Sequence, residues 1–423
     1  MDEIIKAKVL AYNILKLVDK KGAFANVLLR ERLKDKKFPV SLHPLVTDIV
    51  YGVLRRQNTI DWYISNFSKI ERLTLEILIL LRIGVYQILY HNTPAPLIVN
   101  ETVEIGKRVI SRKGGNLINA VLRKISNSSN LRPSEKDLVY SHPTWLIEKW
   151  ERELGVDETG QLCERNNRPV PLSFRVNILK TSIEEVENSL SEEGIIVERG
   201  RFSKNCLILR EGIVRPISCL EEEGKVFIQS ESSMVVAEKL ELDSGLKVLD
   251  GCSGYGGKTI YAGELMRNSG EIIAVDRVKN KLDILKRIAS KHSVSIIKTI
   301  HSPLEELTID RVGYVDRVLL DVPCSGLGTL SRRPEIKWRL KPEDISRLSS
   351  AQKRILDAGS RFLKTGGILI YSACTISRDE TYDIIKSFLE NNRGFDLIEE
   401  VQFFPHRDDV EGFYMAKLKK NVA

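Results

Sequence analysis

Leu246–Thr259 reads LKVLDGCSGYGGKT. A short apolar strand carried by Leu246, Val248 and Leu249 ends on Asp250, and a glycine-rich turn (Gly251, Gly254, Gly256, Gly257) opens into a helical pattern starting near Lys258. Strand, turn and helix in that order present backbone N–H groups and a helix N-terminus to a polar or charged small molecule. Glycine suits such a turn because the chain must take positive φ and approach the ligand closely, which a Cβ hinders. Three readings compete. The turn is a tight βα connection with no ligand, a phosphate-binding loop, or a nucleoside-cofactor site. For the phosphate loop speak Gly257-Lys258-Thr259 and the downstream run Val318-Leu-Leu-Asp321, but the motif wants a glycine five positions before Gly257, where Cys252 stands. The cofactor site wants an acid at the end of the next strand to hold ribose hydroxyls. Glu271-Ile-Ile-Ala-Val-Asp276 supplies it.

From about residue 226 onward strands and helices alternate. Strands are expected at 246–250, 271–275, 296–300, 315–320 and 367–372, and helices near 257–266, 278–290, 342–363 and 379–390. This predicts an α/β domain, a mostly parallel sheet with helices on both faces and ligands at the carboxyl ends of its strands. Gly412–Leu418 should add an antiparallel edge strand. Two cysteines fall at such carboxyl ends, Cys324 in VLLDVPCSG and Cys374 in ILIYSACT. One buried cysteine is commonly an inert small hydrophobe. Two at strand ends beside the glycine turn point instead to a nucleophile, its thiol pKa lowered by helix N-termini and cations. Asp321 lies near enough in sequence to handle protons.

The other cysteines, 163, 206, 219 and 252, make no CxxC pair with these or each other, so neither a disulfide framework nor a structural metal site is expected. The chain has 423 residues, enough for two or three domains with a large core. No run approaches the ~18 uninterrupted apolar residues of a membrane span, and MDEIIKAKVL is too charged for a secretory signal, so a cytoplasmic protein without a membrane partner is expected.

Charge is unevenly spread. The net charge is +8, yet residues 1–130 carry 21 Lys and Arg against 11 Asp and Glu, leaving the rest slightly negative. Charge can simply solvate a helical surface, but an excess confined to one region favours a nucleic-acid partner. That region reads as helical. Apolar residues step by three and four through Ile4, Ala7, Leu10, Ile14 and Leu17, and again through Leu42, Leu45, Ile49 and Val53. A nearly all-apolar helix, Leu73–Tyr90, should be its centre. Leu97–Ile110 follows Pro94 and Pro96, Gly114-Gly115 precedes a last helix, Asn116–Ile125, and Asn127–Asn130 reads as a linker. Residues 131–225 mix helix and strand and predict a small α+β domain. Its tryptophans, Trp145 and Trp150, are expected in its core.

Val50-Tyr-Gly-Val-Leu-Arg55, Asn100-Glu-Thr-Val-Glu104 and Asn119-Ala-Val-Leu-Arg123 resemble the signature segments of the NusB-like RNA-binding domain of the bacterial RsmB/Sun ribosomal-RNA methyltransferases. Phe174-Arg-Val-Asn177 and Ile228-Gln-Ser-Glu-Ser-Ser233 resemble the segments that lead into the catalytic part. Asp321-Val-Pro-Cys-Ser-Gly-Leu-Gly328, Arg333-Pro-Glu-Ile-Lys-Trp-Arg339, Gln352, Gly366–Cys374, Phe404-Pro-His406 and Gly412-Phe-Tyr resemble the motif series of S-adenosylmethionine-dependent RNA cytosine-5 methyltransferases. The resemblance spans nearly the whole chain. It implies a NusB-like domain over 1–130, a small α+β subdomain over 131–225, and over 226–423 a Rossmann-like catalytic domain with a mostly parallel seven-stranded sheet.

It further implies S-adenosylmethionine as cofactor, small-subunit (16S) ribosomal RNA as partner and a monomer. Cys374 matches the nucleophile that adds to carbon 6 of cytosine, and Cys324 the cysteine associated with breaking that bond. Cys252, Ser253, Gly254, Tyr255, Gly256, Gly257 and Lys258 match the methionine-binding loop, Asp276 the ribose-binding acid, and Asp321 a cofactor-site acid beside the base. Ser302 stands near the adenine position, where His301-Ser302 replaces the usual acid. Ser253-Gly254-Tyr255 replaces Ala-Ala-Pro, and Ala373 and Thr375 flank the nucleophile in place of Thr and Ser. A rival reading is a non-catalytic RNA-binding protein whose cofactor domain has decayed. Methylation of an exocyclic nitrogen is disfavoured, since it needs no cysteine nucleophile.

Overall fold

A computed structural model of the chain describes residues 3–35, 38–128 and 130–421. Two compact units emerge, one holding the described residues up to Pro169 together with Leu330–Leu340, the other Val170–Thr329 together with those from Lys341 onward.

The first unit is helical. At its centre lies Leu75–Tyr90, N-capped by Thr74, with Ile79, Leu80, Leu81, Ile83 and Val85 buried. Around it pack Glu3–Lys21 through Ala7, Ala11 and Ile14, and His43–Arg55 through Ile49 and Val53, so the three-and-four spacing becomes one apolar stripe per helix. Gly114-Gly115, expected to precede the last helix, instead lies within its first turns, the helix running Arg112–Ser126 and capped by the Ser111 hydroxyl. Gly115 is there for close helix packing, since a Cβ on it would lie 2.5 Å from Lys107 Cγ and 3.2 Å from the Lys107 backbone nitrogen. Of the expected linker Asn127–Asn130, Ser129 lies outside the described residues. Asn127 and Ser128 still bond back to Arg123 and Ile125, and Leu131 packs on the core. Thr144–Leu154 and Val156–Asn166 also belong to this compact unit, which runs to Pro169. Trp150 is buried and Trp145 half-buried.

Leu330–Leu340 completes the same unit. Trp338 Nε1 donates to Leu54 O at 2.7 Å, and the buried Lys337 Nζ to Arg55 O at 2.9 Å and Asn167 Oδ1 at 3.1 Å. Arg339 donates to the carbonyls of Val18, Gly22 and Ala23, while Glu335 Oε1 accepts from Ala25 N at 3.0 Å. These are orphan groups of helix ends, which a compact fold must satisfy from elsewhere.

The second unit holds both sheets. Strands β1 (Ser173–Val176), β2 (Ile196–Arg199), β3 (Cys206–Glu211) and β4 (Val226–Ile228) form an antiparallel sheet in the order β2-β3-β1-β4. The larger sheet contains β5 (Lys247–Asp250), β6 (Glu271–Asp276), β7 (Ile297–His301), β8 (Val315–Asp321), β9 (Leu363–Ala373), β10 (Phe395–Phe403) and β11 (Phe413–Lys420). Its order is β10-β11-β9-β8-β5-β6-β7, with β5 to β9 parallel and the last two strands antiparallel. The expected edge strand, β11, is therefore one place inside. Buried along Phe413–Leu418, it lies between β9 and β10, and the true edge, β10, exposes Asp396 and Glu400 together with Leu397 and Ile398. Buried Arg175 on β1 ties the small sheet to the helix Gly257–Leu265: it donates to Glu264 at 2.8 and 3.0 Å and to Gly257 O at 3.2 Å, its guanidinium 4.3 Å from the Tyr261 ring centre. Among the described residues no helix is long and apolar enough to cross a membrane.

Candidate active site

Chain order reverses at β5, which pairs with β6 on one side and β8 on the other, so a crevice opens at the carboxyl ends of β5 and β8. The glycine loop lies there. Gly254 and Gly256 take φ of 55° and 90°, and Gly256 starts the helix Gly257–Leu265. Ser253 is pinned by its N–H and hydroxyl to Val275 O at 2.9 and 3.1 Å. Asp276, at the end of β6, accepts from Gly254 N at 3.0 Å and Val278 N at 2.8 Å, with Lys281 Nζ 3.7 Å away. Ser302 follows β7, its N–H donating to Asp276 O at 3.3 Å. Tyr255 is 56 % exposed and does not fill the loop.

Beneath the loop lies Asp250, buried, which accepts the Thr259 hydroxyl at 2.6 Å; burial pushes its carboxyl up to about 7. Burial first, and then Asp250, Asp321 and Asp276, push the Cys252 thiol well above its ordinary range. Lys258 reaches from the loop to Asp321 Oδ2 at 2.7 Å, and Ser372 Oγ donates to Asp321 Oδ1 at 3.1 Å, so this carboxylate is oriented from both sides.

Neighbouring strands β8 and β9 lead to the two cysteines, whose sulfurs stand 3.4 Å apart. The lowered thiol pKa expected for one of them does not hold at Cys324. Its hydrogen bond with Cys374, its burial and the charge of Glu380 push it well above the ordinary range. Glycine loop, Asp276, Asp321, Cys324 and Cys374 thus belong to the carboxyl-terminal edge of one sheet. Sequence reasoning missed Asp250 as more than a strand end, Thr259 and Ser372 as partners of the acids, and Glu380 altogether. The only available signal for the first three was position next to a site residue.

Family models match three successive parts of the chain. The 16S rRNA methyltransferase RsmB/F family matches residues 237–419, the NusB family 5–127, and an RsmF/B-like ferredoxin-like domain 142–214. The probable ribosomal RNA small subunit methyltransferase B of Bacillus subtilis is 30% identical over 97% of this chain and 98% of its own. The ribosomal RNA small subunit methyltransferase B of Pasteurella multocida is 31% identical over 90% of this chain and 89% of its own. The crystal structure of PH0851 covers 99% of this chain and 98% of its own with a TM-score of 0.86 at 28% identity. A methyltransferase homolog protein from Pyrococcus horikoshii covers 69% and 100% with a TM-score of 0.62, also at 28% identity. Sheet order, glycine loop and strand-end acids define a Rossmann-like methyltransferase that uses S-adenosylmethionine. The chain belongs to the RsmB/F family of 16S ribosomal-RNA methyltransferases, with the NusB-like and ferredoxin-like parts that accompany it.

Proposed function

We propose that this chain methylates carbon 5 of a cytosine in small-subunit ribosomal RNA through a covalent adduct with Cys374. The observation that carries the reading is the pair of sulfurs 3.4 Å apart, just past the strand that ends at Asp321 and its neighbour. The curated relatives are named for ribosomal RNA of the small subunit, which supports that substrate.

The residues present fit the cofactor. Asp276 is fixed by two backbone N–H donors, and each of its oxygens keeps acceptor capacity for a ribose hydroxyl. Cys252 to Lys258 would hold the methionine end, Ser302 would lie toward the adenine, and Tyr255 stays clear of the cradle. Bound there, S-adenosylmethionine supplies an electrophilic methyl group.

The protein must make cytosine carbon 5 electron-rich, because it is a poor nucleophile on its own. Adding the Cys374 sulfur to carbon 6 does so, once the base is splayed out of its stack. The hydrogen bond with Cys374 and burial hold the Cys324 thiol well above its ordinary range, so it keeps its proton beside the Cys374 sulfur 3.4 Å away. After transfer Cys324 gives its proton to the departing Cys374 sulfur and takes up the carbon 5 proton, and the carbon 5–hydrogen electron pair restores the carbon 5–carbon 6 double bond as the Cys374–carbon 6 bond breaks. Asp321, held by Lys258 and Ser372, faces this region as the acid beside the base. The basic helical unit carries the RNA grip. Bisulfite sequencing of small-subunit ribosomal RNA from cells with and without the gene tests the whole: one cytosine should lose protection when the gene is removed, and an unchanged pattern refutes the assignment.

A further inference from the structure

We infer that Glu380 is a positioning residue that ties the Cys324 and Cys374 loops together and sets the spacing of their sulfurs; its bearing on turnover rests on the reading above. Glu380 ends a short turn, Arg378–Glu380, whose first two residues are exposed while Glu380 itself is wholly buried. Its Oε1 accepts from Ser325 N at 2.8 Å and from Gln352 Nε2 at 3.1 Å. Its Oε2 accepts from Ser325 Oγ and from Thr375 Oγ1 at 3.2 Å, and those two hydroxyl oxygens are 2.8 Å apart. Ser325 directly follows Cys324, and Thr375 directly follows Cys374. Gln352 Nε2 also donates to Pro323 O at 2.9 Å, just before Cys324, and the Tyr371 hydroxyl, three residues before Cys374, donates to the Glu380 backbone carbonyl at 2.7 Å. Cys324 is thus held on both sides by groups that converge on the Glu380 carboxylate, and Cys374 is held by Thr375 on that carboxylate and by Tyr371 on the backbone carbonyl of the same residue.

A buried carboxylate is costly unless its oxygens are satisfied, and an apolar residue would pack here without that cost. Four donors on two oxygens mean that the arrangement fixes geometry: moving either loop breaks bonds to the same group. The charge also acts on the nearer sulfur, since Glu380 helps hold the Cys324 thiol up.

Phenylarsine oxide bridges two thiols only when their sulfurs lie within chelating distance, so it reads the spacing without any methyl transfer. The full-length protein should bind it at this pair, located by mass spectrometry, and Cys324→Ala should abolish that binding. Glu380→Ala should weaken binding about tenfold or more and lower kcat for methyl transfer about a hundredfold, the scale of a misplacement of about 1 Å. KM for S-adenosylmethionine should stay within about twofold, because the cradle is built from β5 and β6. Glu380→Gln, with the same shape and one acceptor left, should recover part of both losses. Should Glu380→Ala not fold, Ser325→Ala, which removes one hydroxyl donor, decides by the same readouts. Wild-type arsenical affinity in a folded Glu380→Ala or Ser325→Ala, or no binding by the wild type, overturns the inference. If arsenical binding falls as stated while the wild type transfers no methyl to RNA, the positioning role stands and the proposed function fails.

Discussion

Replacing Asp276 with alanine removes the group that both orders the glycine loop and, on the proposed function, holds the ribose. In the wild type its oxygens accept from Gly254 N at 3.0 Å and Val278 N at 2.8 Å. The substitution takes this partner from both N–H groups, which lie in a part-buried place with Val278 itself exposed, and frees a loop whose Gly254 and Gly256 are already in left-handed conformations. Losing the ribose partner as well should cost S-adenosylmethionine about 1.4–2.8 kcal/mol of binding, one to two decades in Kd. Isothermal calorimetry on wild type, Asp276→Ala and Asp276→Asn measures it. The asparagine variant keeps one acceptor and should fall between the other two. Wild-type affinity in a folded alanine variant would refute the reasoning, because neither the loop nor the ribose would then depend on this carboxylate.

The cysteines should separate in their phenotypes. Cys374→Ala should abolish methylation and leave no covalent RNA species on a denaturing gel, whereas Cys324→Ala should form the adduct and fail to release it; the opposite pattern exchanges the roles. Lys107, Arg112, Lys113 and Lys124 are exposed on the helical unit. Changing all four to Gln should weaken RNA binding and flatten its dependence on log salt by about 0.7 for each phosphate no longer neutralised; an unchanged slope would make that charge a solvated surface only. Asp250 makes stability fall as pH rises. Its carboxyl is pushed from 3.8 up to about 7, so between those values the folded protein binds a proton that the unfolded chain has released, and above pH 7 the full penalty is present. Asp250→Asn should therefore match wild type near the bottom of that window and exceed it at higher pH by up to about 4 kcal/mol in denaturant titrations; parallel pH curves would contradict this.

The parallel core was legible because strands such as Ile272 to Val275 read as continuous apolar runs, and all the parallel strands but β7 end at or just before an acid or a cysteine. That grammar also exposed Asp276, Asp321 and both cysteines. β10 was not legible, since Glu399 and Glu400 interrupt its alternation, as an edge strand allows. Gly115 misled because a glycine that permits close helix contact has the same letter as one that makes a turn. Glu380 was hidden by its exposed neighbours Arg378 and Asp379; what buries it comes from residues 325 and 352, far away in the chain. Leu330–Leu340 was equally hidden, because its side chains serve largely backbone carbonyls, and a carbonyl carries no sequence signature.

That eleven-residue segment also bears on the order in which the protein can be made. Arg55 meets Ser331 across 276 positions of chain, and Arg339 meets Val18 across 321. During synthesis the amino-terminal helices emerge early, yet the groups that close their ends are translated only after strand β8. The first unit is therefore the first to begin and cannot be complete until most of the second has left the ribosome, which departs from the usual bead-by-bead maturation of multidomain chains. Such distant contacts make the closing step slow. A nascent chain stalled before residue 330 should show, by limited proteolysis, loosened helix ends around residues 18–25 and 54–56 that tighten once residue 340 is free.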